Sequence, residues 1–164
     1  DILERVRCSS PEKVAIVGCA GAYSSDRFAR MTYAEADEAA NQTAHALLTE
    51  GLEPGDRVLM YCDNSVEAIV LMFGIAKAGL VVVPVNPLLA DDVLEWVVGH
   101  VEVSLAVVDG EYAARASEVL ERTGTRIAVT IPVGGEVAPG SRAFAEWIDP
   151  FPVDEVDVDR NDRL

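Results

Sequence analysis

From residue 13 to residue 131 the chain alternates two patterns, short apolar runs and longer stretches with helical spacing. An apolar run without polar alternation suits a strand buried on both faces. Helices between such strands supply the crossovers that parallel pairing requires. The alternation therefore predicts an α/β fold, a mostly parallel sheet with helices on both faces. The strands read at 13–19 (KVAIVGC), 55–62 (GDRVLMYC), 80–86 (LVVVPVN), 104–110 (SLAVVDG) and 125–131 (TRIAVTI). Helices read over 32–51, 64–79, 90–102 and 112–124.

Local chemistry marks several helix ends. Thr32 and Glu35 have capping-box spacing. Tyr33, Ala36, Ala40, Ala44 and Leu47 recur at helical spacing and make one small apolar face. Gly51 suits the residue after that helix, and Pro54 blocks continuation. In the next helix Asn64 is the expected cap, with Glu67 three residues on; Lys77 and Gly79 mark the far end. Its middle, 68–73, is wholly apolar and predicts deep burial. Asp91 and Asp92 favour the start of the third helix. Beyond Ile131 the pattern weakens. Residues 132–141 read as loop and 142–148 as one or two helical turns. The tail 149–164 holds six acids and two arginines, and reads as a solvated linker or an edge strand.

The chain of 164 residues is half apolar, enough for one domain with a sizeable core. It carries 28 Asp+Glu against 13 Lys+Arg, net −15. That balance argues against nucleic acid and against an anionic membrane surface as partners. No apolar run is long enough to span a membrane. Cys8, Cys19 and Cys62 are widely spaced, so neither a disulfide frame nor a zinc site is expected. Reduced thiols point to a cytoplasmic protein.

The third strand runs into Pro84 and then, after Val85 and Asn86, Pro87. Prolines in a sheet are confined to edges, ends and bulges. They end the strand here, and Asn86 is suited to satisfy the turn. Signatures of chemistry are sparse. After the first strand, GCAG (18–21) offers only two glycines, and 134–141 has glycines but no lysine, so neither is a phosphate cradle. His45 and His100 each stand alone and read as structural or surface histidines. Glu35, Asp37 and Glu38 read as a solvated helix face, and Trp96 as core. No residue is assigned a catalytic role and none a metal.

In order and spacing, TYAE (32–35), GLEPGDRV (51–58), Asn64 with Glu67, KAG (77–79), VPVNPLL (83–89) and LAVVDG (105–110) resemble the opening of the adenylate-forming (AMP-binding) superfamily. Within it the Val85-Asn86-Pro87 corner is more similar to acyl- and aryl-CoA ligases than to carrier-protein-linked members, which implies a fatty or aromatic carboxylic acid as substrate, the fatty class first. The resemblance implies the N-terminal subdomain of that fold. Residues 1–148 would be part of a large N-terminal domain, and 149–164 an acidic linker leading toward a phosphate loop. It implies a parent acyl-CoA synthetase that uses ATP, Mg and CoA to turn a carboxylic acid into acyl-AMP and then a thioester. The motifs that do this work in the family lie further along than these residues. The expectation is therefore a fragment inactive alone, binding no cofactor tightly, whose partner is the remainder of the parent chain. Self-association through exposed core surface is a further expectation. A standalone, non-catalytic binding module on the same scaffold is the alternative. The resemblance also places Val85, Asn86 and Pro87 near the nucleotide end of CoA.

Overall fold

The structure, a computed structural model, describes residues 2–158. The chain opens with α1 (Ile2–Ser9), then β1 (Val14–Val17) and β2 (Arg30–Thr32), which pair antiparallel. Next come α2 (Tyr33–Thr49), β3 (Arg57–Tyr61), α3 (Val66–Lys77), β4 (Val81–Pro84), α4 (Asp91–His100) and β5 (Leu105–Asp109). The rest is α5 (Ala113–Thr123), β6 (Ile127–Ile131), β7 (Arg142–Ala143) and α6 (Phe144–Ile148). The five strands β3 to β7 form one sheet, all parallel, in the order β4–β3–β5–β6–β7. Two apolar clusters flank it. One gathers side chains of α2, α3 and α6, the other those of α4 and α5. The expected α/β class, with helices on both faces, is what the chain adopts.

Alternate strand residues feed the two clusters: Val58 and Met60 enter one, Leu59 and Tyr61 the other. That is why the runs lack polar alternation. The first strand of the pattern, 13–19, does not join this sheet. It makes a small antiparallel ribbon with β2, and Val17 stays exposed. Three elements carry too little pattern to be read: α1 buries only Leu3, β2 has three residues and β7 two.

The capping box at α2 is complete. Glu35 N–H donates to Thr32 Oγ1 at 3.2 Å, and Thr32 N–H donates to Glu35 Oε2 at 2.7 Å. At α3 the cap is Ser65, one residue later than expected, its Oγ accepting from Ala68 N–H at 3.1 Å. Glu67 is thereby freed from capping and turns to a loop, as described below. The apolar middle of α3 is not wholly buried either: Ile69 and Met72 are exposed on one stripe, while Val70, Leu71 and Ile75 fill the core.

Helices α2 and α3 pack closely because Gly74 has no side chain. A Cβ at Gly74 would stand 2.5 Å from both Cβ and Cγ2 of Thr43. Thr43 cannot swing aside freely, since its hydroxyl donates to Ala39 O at 2.8 Å. Gly74→Ala should lower stability by about 2 kcal/mol in urea unfolding, the overpacking loss exceeding alanine's helix advantage. Adding Thr43→Gly should return part of that loss, a non-additivity expected only if the two side chains collide.

Strand β4 is an open edge, and Pro84 shapes it. Val81 N–H and Val85 N–H donate inward, to Asp56 O and Met60 O. The even positions between them therefore face the free edge. There Pro84 removes a donor, leaving Val82 as the outward N–H of the strand. A proline so placed blunts strand addition.

The tail differs from a solvated linker. Side chains of α2 hold the backbone of 149–154: Asn41 Nδ2 donates to Val153 O at 2.8 Å, Gln42 Nε2 to Phe151 O at 3.0 Å, and His45 Nε2 lies 2.9 Å from Asp154 O. Lys77 Nζ meets Glu155 at 2.8 Å, and Val156 is buried. The acids of the tail hid this, because what α2 grips is main-chain carbonyl. Residues 159–164 of the expected linker lie outside the described residues. Asp37 is likewise no solvated acid; it is buried and ion-paired with Lys77 at 2.9 Å and Arg7 at 2.9 Å. Trp96, read as core, is 63 % exposed and stacks on His100 with ring centroids 4.6 Å apart. Its helix buries the opposite face, through Leu94 and Val98.

Candidate functional site

In an open parallel sheet, ligands sit beyond the carboxyl ends of the strands where the strand order reverses. Here the chain steps from β3 to β4 on one side and returns to β5 on the other, so the reversal lies at β3. Beyond these ends lie Cys62, Asp63, Asn64 and Ser65 after β3, the Val85–Pro87 corner after β4, and Asp109 closing β5.

A pocket of about 540 Å³ opens there, with an apolar wall that includes Met60, Val66, Ile69 and Met72 and polar residues Asp63, Asn64 and Asn86. Residues 16–19 of the β1 segment close another side. Among the described residues no lysine, arginine or histidine lines it. The start of α3 is not a vacant anion site, since Val66 N–H donates to Ala22 O at 2.9 Å and Ala68 N–H to Ser65 Oγ.

The corner is held from below. Tyr61 Oη donates to Pro87 O at 2.8 Å, and Arg115 Nη1 donates to the same oxygen at 2.8 Å. Arg115 also bonds Leu89 O and pairs with Asp91 at 2.7 Å. Asn86 Oδ1 accepts from Leu88 N–H at 2.9 Å, the turn-satisfying role that asparagine favours. Of the three expected contacts, Val85 and Pro87 are buried and Asn86 is exposed. Val85 and Asn86 face the pocket; Pro87 serves as the anchor.

Carboxylates gather behind the pocket. Asp109 is 1 % exposed; its Oδ2 accepts from Asp63 N–H at 2.7 Å, and its Oδ1 has no partner. Burial pushes the Asp109 carboxyl up to about 6, against the Asp63 N–H bond, which favours the charged form. Glu67 is fully buried: Oε1 accepts from Ser24 N–H at 2.6 Å, while Oε2 has no partner. Tyr112 Oη donates to Asp63 Oδ2 at 2.6 Å, and that bond pushes the phenol up to about 12. Burial, and then the Asp109 charge, push the Cys62 thiol up. The thiol beside the pocket is therefore a poor nucleophile.

Asp63 and Asp109 escaped the sequence reading, and Glu67 reads there only as a capping residue. Asp63 and Asp109 each directly follow or end a buried apolar strand, and that position was the available signal. Among the described residues no group of three His, Cys, Asp or Glu is placed to hold a metal ion. With no cation in the pocket and acids behind it, the residues present do not fit Mg-ATP by themselves.

Comparison with known proteins bears on what this scaffold belongs to. A family model described as AMP-binding enzyme matches residues 3–162. A medium/long-chain-fatty-acid–CoA/3-oxocholest-4-en-26-oate–CoA ligase of Mycobacterium marinum is 32% identical over 123 residues, 75% of this chain and 21% of its own length. Among solved structures, the anthranilate CoA ligase AuaEII in complex with anthranoyl-AMP superposes with a TM-score of 0.81 at 25% identity, covering 98% of this chain and 28% of that one. A long-chain-fatty-acid-CoA ligase from Archaeoglobus fulgidus gives a TM-score of 0.82 at 24% identity, over 95% and 30% of the two chains, and shows the shared fold. The chain thus spans about a fifth of the length of the relative it matches and under a third of these structures. With the family pattern running through nearly every described element, the chain belongs to the AMP-binding enzyme family, the adenylate-forming enzymes.

Proposed function

We propose that this chain is the N-terminal part of an acyl-CoA ligase, cytoplasmic, whose whole protein activates a carboxylic acid of the fatty class as acyl-AMP and transfers it to CoA. The observation that supports this best is the family match over 3–162 together with relatives that are CoA ligases. ATP, Mg and CoA would serve the whole protein. Residues 1–148 would form part of its large domain, and 149–164 would lead on toward the phosphate loop.

The same reading makes the fragment inactive alone, because its pocket offers no cation to a phosphate. Carboxylate-dependent pyrophosphate exchange tests this directly. The 164-residue chain should give no exchange above background; clear turnover would sink the proposal. The exposed stripe of Val17, Ile69 and Met72 would be covered by the remainder of the parent chain, or by self-association in the isolated piece. A stable monomer across micromolar concentrations would instead support a standalone module.

Asn86 is the accessible member of the corner, and the proposal gives it the contact with the nucleotide end of CoA. In a ligase carrying this chain, Asn86→Ala should raise KM for CoA about fivefold and leave the adenylation half-reaction unchanged, the loss of one hydrogen bond. A fall in acyl-AMP formation with unaltered KM for CoA would remove Asn86 from that role.

A further inference from the structure

The carboxylates at the end of the sheet tie three loops through side chains. Asp109, at the end of β5, receives the N–H of Asp63 in the loop after β3. Asp63 receives the hydroxyl of Tyr112, in the turn before α5. Glu67, in the first turn of α3, receives the N–H of Ser24 from the loop between β1 and β2. Two of these acids are buried, each with an oxygen that meets no donor.

The groups around Asp109 are acidic or neutral on every side. From the β3 end come Cys62 and Asp63, from α3 Glu67, and from the turn before α5 Tyr112. Across the sheet, β6 presents Ile131 opposite Asp109. Among the described residues no lysine, arginine or histidine bonds to Asp109, Asp63 or Glu67. A buried carboxylate so placed meets both desolvation and like charge when it ionises.

We infer that Asp109 is a proton-operated latch, which holds the loops after β3 and β5 together at the mouth of the pocket when protonated and loosens them when charged. With a proton on Asp109, the repulsion with Asp63 and Glu67 falls, and the carboxyl keeps an oxygen to accept from Asp63 N–H. With the proton gone, a buried charge lacks a counter-ion, and the relief open to it is water entry between these loops. The pocket wall at Cys62–Val66 then becomes more mobile, without loss of the sheet beneath.

The sign follows from the folded carboxyl lying near 6 against 3.8 for the ordinary group. A raised carboxyl supports the fold fully below its unfolded value, and that support is lost as pH rises through about 6. A shift of roughly two units corresponds to about a hundredfold in the folding equilibrium.

Urea unfolding of the 164-residue chain between pH 4 and 7.5 provides the test, alongside amide exchange at the two ends of that range, corrected for intrinsic rates. The wild-type folding constant should fall on the order of ten- to a hundredfold as pH rises. Protection at 62–66 and 109–112 should fall more than protection in β5 and β6. Asp109→Asn should flatten that slope and be the more stable protein at pH 7.5. Glu67→Gln, which removes one of the neighbouring charges, should move the transition to lower pH and so serves if Asp109→Asn fails to fold. A wild-type profile that stays level, or one that Asp109→Asn and Glu67→Gln leave unchanged, overturns the inference. Exchange that rises evenly over the whole sheet overturns the local latch.

Discussion

Replacing Lys77 by methionine should lower the stability of this chain by about 3 kcal/mol, read as a fall in the urea midpoint. Lys77 ends α3 with its side chain fully buried, in a cluster that also joins α1, α2 and the tail. Its ammonium meets Asp37 at 2.9 Å and Glu155 at 2.8 Å, and Arg7 of α1 meets the other oxygen of Asp37 at 2.9 Å. Methionine fills similar volume, so cavity formation is not the main loss. What remains is Asp37, 1 % exposed, with half its positive surroundings removed. Stranding a buried charge is the expensive half of breaking an ion pair. Arg7 still neutralises part of it, which places the loss at the low end of the usual range. Glu155→Gln supplies the contrast. Its side chain is a third exposed, so its share is screened and should stay below about 1 kcal/mol. Equal effects at the two positions would mean that the cluster acts through the tail rather than through Asp37.

That cluster shows where reading residues in order reaches its limit. Lys77 was legible as a basic residue at a helix end, and Asp37 as an acid on a helix face. Neither position says that α1, α2 and α3 converge there. Strands, helices and the Thr32 cap were legible because period, length and capping act within a few residues. The pairing order β4–β3–β5 was not, since it depends on contacts between residues far apart in the chain. The carboxylate latch shares the difficulty: Asp63, Glu67 and Asp109 are brought together only when β3 and β5 become neighbours. Glu67 was assigned to a cap because its spacing from Asn64 fitted; a one-residue shift of that cap to Ser65 redirects the side chain to another loop. The corner fared better. Its prolines and asparagine act locally, and each does in the structure what its own chemistry favours.

The two tryptophans should respond oppositely to truncation. Trp147→Ala is expected to cost about 4 kcal/mol, and Trp96→Ala less than about 0.5 kcal/mol. Trp147 is 1 % exposed on α6, where it tilts against Phe144 with centroids 6.1 Å apart and closes the end of the core beside β6 and β7. Its Nε1 donates to Glu50 Oε1 at 3.2 Å. Glu50 is a junction: burial pushes its carboxyl up, but hydrogen bonds from Arg126 and Trp147 and the charge of Arg142 outweigh that and leave it lowered. Alanine removes the ring and one of these bonds, while both arginines stay. The loss is therefore mostly packing, and Trp147→Phe should recover most of it, short by about 1 kcal/mol for the missing N–H. Trp96 gives up only its stack on His100, on a face already in water. Indole emission separates the two sites, since only the protein that keeps Trp147 should retain a blue-shifted, buried signal. If Trp96→Ala proved the costlier change, the outer face of α4 would have to be covered in solution, and its exposed tryptophan would mark a contact rather than a surface.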